Sequence, residues 1–157
     1  RLVAVLTQAQ DPGNAGTIIR AADAAGADAV VLVRGSVDPT APKVVRSTAG
    51  SLFHLPVVTG VALDDAVTAL HNAGLTVLAA DGRGDFDLFE AESLLGAPSA
   101  WLLGNEAHGL PLEALSRADA VVSIPIYGKA ESLNVAAAAA VCLYASARAQ
   151  AQNSGRS

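Results

Sequence analysis

Short apolar runs alternate along this chain with amphipathic or alanine-rich stretches long enough to be helices. That alternation leaves few folds open, because it is the pattern of buried parallel strands joined by helical crossovers, the α/β class. The apolar runs are Leu2–Leu6, Ala29–Val33, Pro56–Thr59, Thr76–Ala80, Trp101–Leu103 and Ala120–Ile124. Each is rich in Leu or β-branched residues and bounded by Gly, Pro or Asp. Several are apolar at every position, so both faces of the sheet need cover. Helices fit Ala15–Ala25, Leu63–Asn72, Pro111–Ser116 and Leu133–Arg148, with Pro111 suited to a first turn and a weaker helical signal over Lys43–Thr48. Loops are expected at Arg34–Pro42 and Asp81–Phe86. A polar tail at Gln150–Ser157 is expected to be flexible and frayed, leaving residues 1–149 as one domain. Pattern alone predicts a doubly wound, Rossmann-like parallel sheet flanked by helices.

The chain has 157 residues, enough for one domain with a sizeable core. Only 4% are aromatic against 52% hydrophobic, so Val, Leu, Ile and Ala must fill that core. Mean hydropathy is +0.40, yet no apolar run reaches the roughly 18 to 20 residues of a membrane span. A soluble chain with no membrane partner is expected. The single Cys142 cannot close an internal disulfide and reads as a small buried hydrophobe, which fits a reducing, cytoplasmic setting. The sequence opens at Arg1 without a charged-then-apolar leader, and a piece of a longer protein is expected. His54, His71 and His108 are scattered, and one Cys completes no ligand spacing, so no metal is expected. A net charge of −5 weighs against a broadly basic nucleic-acid surface. Any nucleic-acid contact must therefore be local or made elsewhere.

Three segments carry candidate chemistry. In the first, Asp11-Pro12-Gly13-Asn14-Ala15-Gly16-Thr17-Ile18-Ile19-Arg20, a strand gives way to a helix with free backbone N–H groups. Gly13 and Gly16 permit close approach, Asn14 can cap the helix, and Arg20 lies about one and a half turns further on. An ordinary strand-to-helix turn with a solvent-facing Arg explains this segment equally well by itself. The second, Trp101-Leu102-Leu103-Gly104-Asn105-Glu106-Ala107-His108-Gly109-Leu110, runs a buried strand into a turn bearing an amide and a carboxylate. Open α/β sheets bind ligands at such carboxyl ends. Glu106 is costly to bury unpaired, so it faces water, or meets a cation or hydrogen-bond donors. His108 reads as a surface turn residue and Trp101 as core. The third, Ile124-Pro125-Ile126-Tyr127-Gly128-Lys129-Ala130-Glu131-Ser132-Leu133-Asn134-Val135, gathers Glu131, Ser132 and Asn134 at the start of a long helix. Capping and the helix dipole explain each residue singly but not the trio.

Together these segments resemble the three motifs of the SpoU (TrmH) branch of the SPOUT methyltransferases, in family order and across nearly the whole chain. Asn14, Gly16 and Arg20 match the first motif. Leu103-Gly104-Asn105-Glu106 with Gly109 matches the second, and Ile124-Pro125-Ile126 through Glu131-Ser132-Leu133-Asn134-Val135 matches the third. Lys43-Val44-Val45-Arg46-Ser47-Thr48-Ala49-Gly50 is similar to a segment of ribosomal-RNA members. The resemblance implies a C-terminal trefoil knot, which topology rules alone would argue against. It also implies S-adenosylmethionine as cofactor, methyl transfer to a ribose 2′-hydroxyl of RNA, and a homodimer. Ribosomal RNA is favoured over tRNA. Carried onto this chain, the cofactor pocket would involve Leu78, Ala79, Ala80, Asp81, Leu103, Gly104, Asn105, Ile124, Ile126, Ser132 and Leu133. Arg20 would be the central catalytic residue, with Asn14, Glu106, Ser132 and Asn134 orienting it and the ribose. Lys43, Arg46 and Lys129, with Arg34 beside them, are the basic groups for an RNA path. The small N-terminal RNA-binding domain of many ribosomal-RNA members is expected to be absent from this piece.

Two rival readings remain. Gly82-Arg83-Gly84 suggests a nicotinamide-binding Rossmann enzyme, but that fingerprint needs its glycines after the first strand. A catalytically silent RNA-binding or dimerisation module of the same fold would be expected to have lost polar motif residues, and all are present.

Overall fold

The computed structural model describes residues 1–104 and 109–155. In chain order its elements are β1 (Leu2–Leu6), α1 (Pro12–Ala24), β2 (Ala29–Val33), α2 (Pro42–Ser47), β3 (Val57–Val61), α3 (Leu63–Asn72), β4 (Thr76–Ala80) and β5 (Phe86–Asp87). They continue with α4 (Glu92–Leu95), β6 (Ser99–Leu103), α5 (Leu112–Arg117), β7 (Ala120–Ser123) and α6 (Val135–Ser154). Short 3-10 turns occupy Ser51–Phe53 and Leu88–Glu90. The strands form one sheet in the order β3-β2-β1-β6-β4-β7-β5, and every pairing is parallel.

The uniformly apolar strands are explained by cover on both faces. Successive side chains point to opposite faces, so Leu2, Ala4 and Leu6 of β1 join Ile18, Ile19, Trp101, Cys142 and Leu143 in one core cluster. Val3 and Val5 join Val67, Leu70, Val77, Ala100, Leu102 and Ala114 in the other. Helices α1 and α6 thus cover one face, and α3 and α5 the other. A hydrogen bond from the Trp101 indole to the Ser146 hydroxyl, 2.8 Å and buried, fixes α6 against β6. On the outer side, α2 packs on α1 at Gly16, where a Cβ would run into Ser47 and approach the Val44 carbonyl oxygen to 2.8 Å.

Several element bounds differ from the sequence expectation, each for a local reason. Pro56 stands outside β3 and lacks a ladder donor, although its carbonyl still accepts from Val30. The strand instead continues to Val61 through a bulge at Gly60, where φ is +74°. Asp11, not Asn14, caps α1: its side chain accepts the Asn14 N–H at 3.0 Å, and Pro12 takes the first turn. Ser99 and Ala100, weak strand formers, extend β6 because both are buried. The expected loop after Asp81 ends in the two-residue strand β5. The frayed tail expected from Gln150 is helical to Ser154. Gln150 donates to the Arg1 and Ala97 carbonyls at 3.0 and 3.1 Å, and Asn153 to that of Gly96 at 3.2 Å, tying down the last turns.

After β3 the chain crosses to the far side of β1, and β6 later inserts between β1 and β4. The carboxyl ends of β6, β4 and β7 therefore lie side by side, where open α/β sheets hold ligands. Among the described residues no helix is long and apolar enough to cross a membrane.

Candidate active site

A cavity of about 300 Å³ opens at those three strand ends. Ala80 ends β4 at it, and Asp81 and Gly82 follow; Gly104 and Gly109 border it after β6. Beyond β7, Ile124, Ile126 and Leu133 supply an apolar wall, Glu131 and Ser132 a polar edge, and Val135 and Ala138 of α6 complete it.

Close backbone approach shapes the β6 side. A Cβ on Gly104 would stand 2.5 Å from the carbonyl carbon of Gly109 and 2.8 Å from the Leu110 nitrogen. Only a glycine lets the backbone of Gly109 and Leu110 come this close. Gly109 itself has φ +66°, the left-handed region. Behind them, the Leu103 carbonyl accepts from the backbone N–H and the hydroxyl of Thr7, both at 2.9 Å, joining the ends of β1 and β6.

The β4 side is electrostatic. The Asp81 side chain is 8% exposed, and Arg83 meets it with Nε at 2.7 Å from Oδ1 and Nη2 at 2.8 Å from Oδ2. This two-point contact holds the Asp81 carboxyl below the usual carboxylate range and raises the Arg83 guanidinium above its own. The same Nη2 donates to the Leu110 carbonyl at 2.9 Å.

At the third side, Asn134 caps α6 by accepting from Ala136 at 2.8 Å and Ala137 at 3.2 Å. Its Nδ2 donates to Oδ1 of Asn14 at 3.3 Å. The first and third sequence motifs thus meet at the mouth of the cavity, since Ser132 and Leu133 precede Asn134 directly.

Of the residues singled out from sequence, Ala80, Asp81, Gly104, Ile124, Ile126, Ser132 and Leu133 line this one cavity, and Asn134 with Asn14 stands beside it. Leu78, Ala79 and Leu103 do not line it; their side chains belong to the sheet core. Asn105 and Glu106 lie outside the described residues. Arg20 is exposed on α1 and is not among the lining residues. Lys43 and Arg46 are exposed on α2, and Lys129 is exposed on the loop between Ile126 and Glu131. Sequence reasoning missed Gly82, Gly109, Glu131, Val135 and Ala138 as lining residues, and Arg83 as a partner of Asp81. Gly109, Glu131 and Val135 fall within the motif segments, so their signal was present; that of Arg83 and Ala138 was not. Among the described residues no three His, Cys, Asp or Glu side chains gather as metal ligands would.

Residues 1–144 match the SpoU rRNA Methylase family. The chain belongs to this family. A relative of this SpoU-family chain, the 23S rRNA (guanosine(2553)-2'-O)-methyltransferase RlmP of Bacillus subtilis, is 42% identical over 147 residues, covering 92% of this chain and 57% of the relative. The 23S rRNA (uridine(2479)-2'-O)-methyltransferase of Streptomyces viridochromogenes is 41% identical over 142 residues, covering 87% and 49%. The crystal structure of the SpoU methyltransferase AviRb from S. viridochromogenes superposes with TM-score 0.87 at 38% identity, covering 97% of this chain and 60% of that one. The SpoU-family chain thus spans about half to three fifths of the length of these three relatives. Its α/β parallel sheet is the fold of the SpoU methyltransferases.

Proposed function

We propose that this chain is the catalytic domain of an S-adenosylmethionine-dependent RNA ribose 2′-O-methyltransferase, with ribosomal RNA as substrate. One observation carries the reading: in a SpoU-family chain, a small-molecule-sized cavity opens directly beside the Asn14–Asn134 pair, so a cofactor site and a polar substrate edge adjoin. Relatives named for 23S rRNA 2′-O-methylation support the substrate class. The AviRb complex with AdoMet, TM-score 0.86 at 37% identity, supports the cofactor. A neighbour described by 2-OH methylation of C/U34 on tRNA, TM-score 0.85 at 32% identity, favours tRNA as the second reading.

The residues present fit the cofactor. Ile124, Ile126 and Leu133 offer an apolar wall for an adenine ring, and the space a Cβ on Gly104 would fill is left to backbone and ligand. When bound, S-adenosylmethionine supplies an already activated sulfonium methyl group. The chain must then orient the ribose and favour a developing anion on its oxygen. Asn14, Ser132 and Asn134 supply hydrogen-bond groups at the cavity edge. Arg20 supplies positive charge; its role is electrostatic, and it holds the ribose oxygen and the neighbouring phosphate. Lys43, Arg46 and Lys129 add local phosphate contacts to an otherwise acidic chain.

This reading includes a homodimer in a cytoplasmic setting. The dimer is consistent with Arg20, which is exposed and does not line the cavity of its own chain. It also includes the trefoil knot. Helix α6 packs on α1, on the central strands and on the Leu88–Leu95 stretch linking β4 to β6, as a terminal helix passing that connection would.

The test is to map 2′-O-methyl positions in RNA from cells with and without the full-length gene, alongside calorimetry with S-adenosylmethionine. A position lost with the gene and restored by the unaltered chain but not by Arg20→Ala is expected, with cofactor affinity of the variant near normal. Equal loss of turnover and cofactor affinity in Arg20→Ala overturns the assignment of Arg20.

A further inference from the structure

Arg83 lies outside the three motif segments, yet its guanidinium makes three polar contacts at the cavity. Its guanidinium holds both Asp81 oxygens, its backbone N–H donates to Asp81 Oδ1 at 2.9 Å, and its Nη2 reaches the Leu110 carbonyl. We infer that Arg83 is a positioning residue of the pocket, tying the strand end that carries Asp81 to the turn that carries Gly109 and Leu110. This rests on the cofactor reading only for its consequence in binding; the tie itself is a property of the folded chain.

Three neighbours make the tie rigid. The segment bearing Arg83 is pressed against β7, because a Cβ on Gly84 would lie 2.6 Å from the Val121 carbonyl oxygen and 2.9 Å from the Ser123 nitrogen. The far side is equally close: the Gly109 backbone abuts Gly104, and a Cβ on Gly109 would lie 3.5 Å from Asp81 Oδ2. The Leu110 backbone N–H beside the Asp81 carboxyl also helps to lower its pKa. A closed circuit therefore runs from the end of β4 through Asp81, Arg83 and Leu110 to Gly104 at the end of β6. Ala80, Asp81, Gly82, Gly104 and Gly109, all on that circuit, are cavity lining. Without Arg83, a carboxylate only 8% exposed keeps no cation and the Leu110 carbonyl loses its charged donor. The carboxylate then turns toward water, and the turn moves with it.

A lysine keeps the charge but offers a single point, so it cannot grip both Asp81 oxygens and the Leu110 carbonyl in one plane. Arg83→Gln and Arg83→Lys therefore separate charge from geometry. Hydrogen exchange on the chain without cofactor is expected to show faster exchange at Gly109 and Leu110 in Arg83→Gln, with partial recovery in Arg83→Lys and unchanged exchange in β1. Calorimetry is expected to give an S-adenosylmethionine Kd raised about tenfold in Arg83→Gln and about threefold in Arg83→Lys, the scale of one charged hydrogen bond. The kcat at saturating cofactor should stay within about twofold if positioning is the whole effect. Unaltered exchange at Gly109 and Leu110 overturns the inference, as does uniform faster exchange across the sheet, which would mark a folding defect. A fall in kcat with Kd unchanged also overturns it, since Arg83 would then act on substrate. Failure of the unaltered chain to bind S-adenosylmethionine sinks the cofactor reading, and the exchange result still decides the tie.

Discussion

The side-chain amide of Asn134 faces two ways: its oxygen closes the first turn of α6, and its nitrogen donates to Asn14, 120 positions earlier in the chain. Each end of that amide has a distinct job, and substitutions separate them. Asn134→Asp keeps the capping oxygen but has no N–H for Asn14. It is expected to fold with near-normal stability and to lose most methyl transfer. Asn134→Ala should lose about 1 kcal/mol in denaturant titration as well. Full turnover in Asn134→Asp would remove the pair from the working site.

Gly104→Ala places a Cβ against the Gly109 carbonyl and the Leu110 nitrogen, neither of which is a flexible side-chain end. Backbone must move, at a cost of roughly 1–3 kcal/mol. If the turn moves to relieve it, S-adenosylmethionine binding weakens by about tenfold or more, an effect calorimetry reads directly. Unchanged affinity would mean that the cavity does not hold the cofactor against this turn.

The buried Trp101–Ser146 hydrogen bond sets how α6 sits on the sheet. Ser146→Ala leaves the indole N–H without its partner, at about 1–3 kcal/mol in urea unfolding. Combined with Trp101→Phe, the loss should be clearly less than the sum of the single losses, because both remove the same bond. Strict additivity would show that the bond contributes nothing.

Asp23 on α1 accepts from Nδ1 of His54 and from the Ser51 hydroxyl, both at 2.7 Å, anchoring the Ser51–Phe53 turn. The His54 bond, followed by that of Ser51, lowers its pKa from the ordinary 3.8. A folded-state pKa below the unfolded one adds stability that is present above about pH 4 and disappears as pH falls through the depressed value. Asp23→Asn should therefore flatten the acid limb of a Tm-against-pH profile below about pH 4 and leave its shape near pH 7 unchanged. An identical acid limb in the variant would refute the linkage.

Most of the sheet was legible in local pattern. Bounds for β1, β2, α3 and β4 follow from apolar runs closed by Gly, Pro or Asp. Local rules erred where two candidates competed, as at the cap of α1. Asp11 and Asn14 are both good N-caps, and Pro12 at the first helical position decides for Asp11. They also erred where tertiary contacts overrode local propensity, as in the buried Ser99 and Ala100 of β6 and in the end of α6, which Gln150 and Asn153 tie to the carbonyls of Ala97 and Gly96.

The site divides along the same line. Residues at the ends of the expected strands, such as Gly104 and Ile124, could be placed near one another because parallel strands present their carboxyl ends together. Arg83 could not be, since nothing near Gly82-Arg83-Gly84 points to Leu110, which the fold brings to it from 27 residues away.

What the order of amino acids determined alone was which positions are buried, which turns need glycine, and which polar groups stand at strand ends, because each follows from a residue and its near neighbours. The folded chain decided the strand order β3-β2-β1-β6-β4-β7-β5, the meeting of Asn14 with Asn134, and the tie from Arg83 to Asp81 and Leu110. Those depend on which apolar face packs against which, a choice made between segments far apart and written in no single one of them.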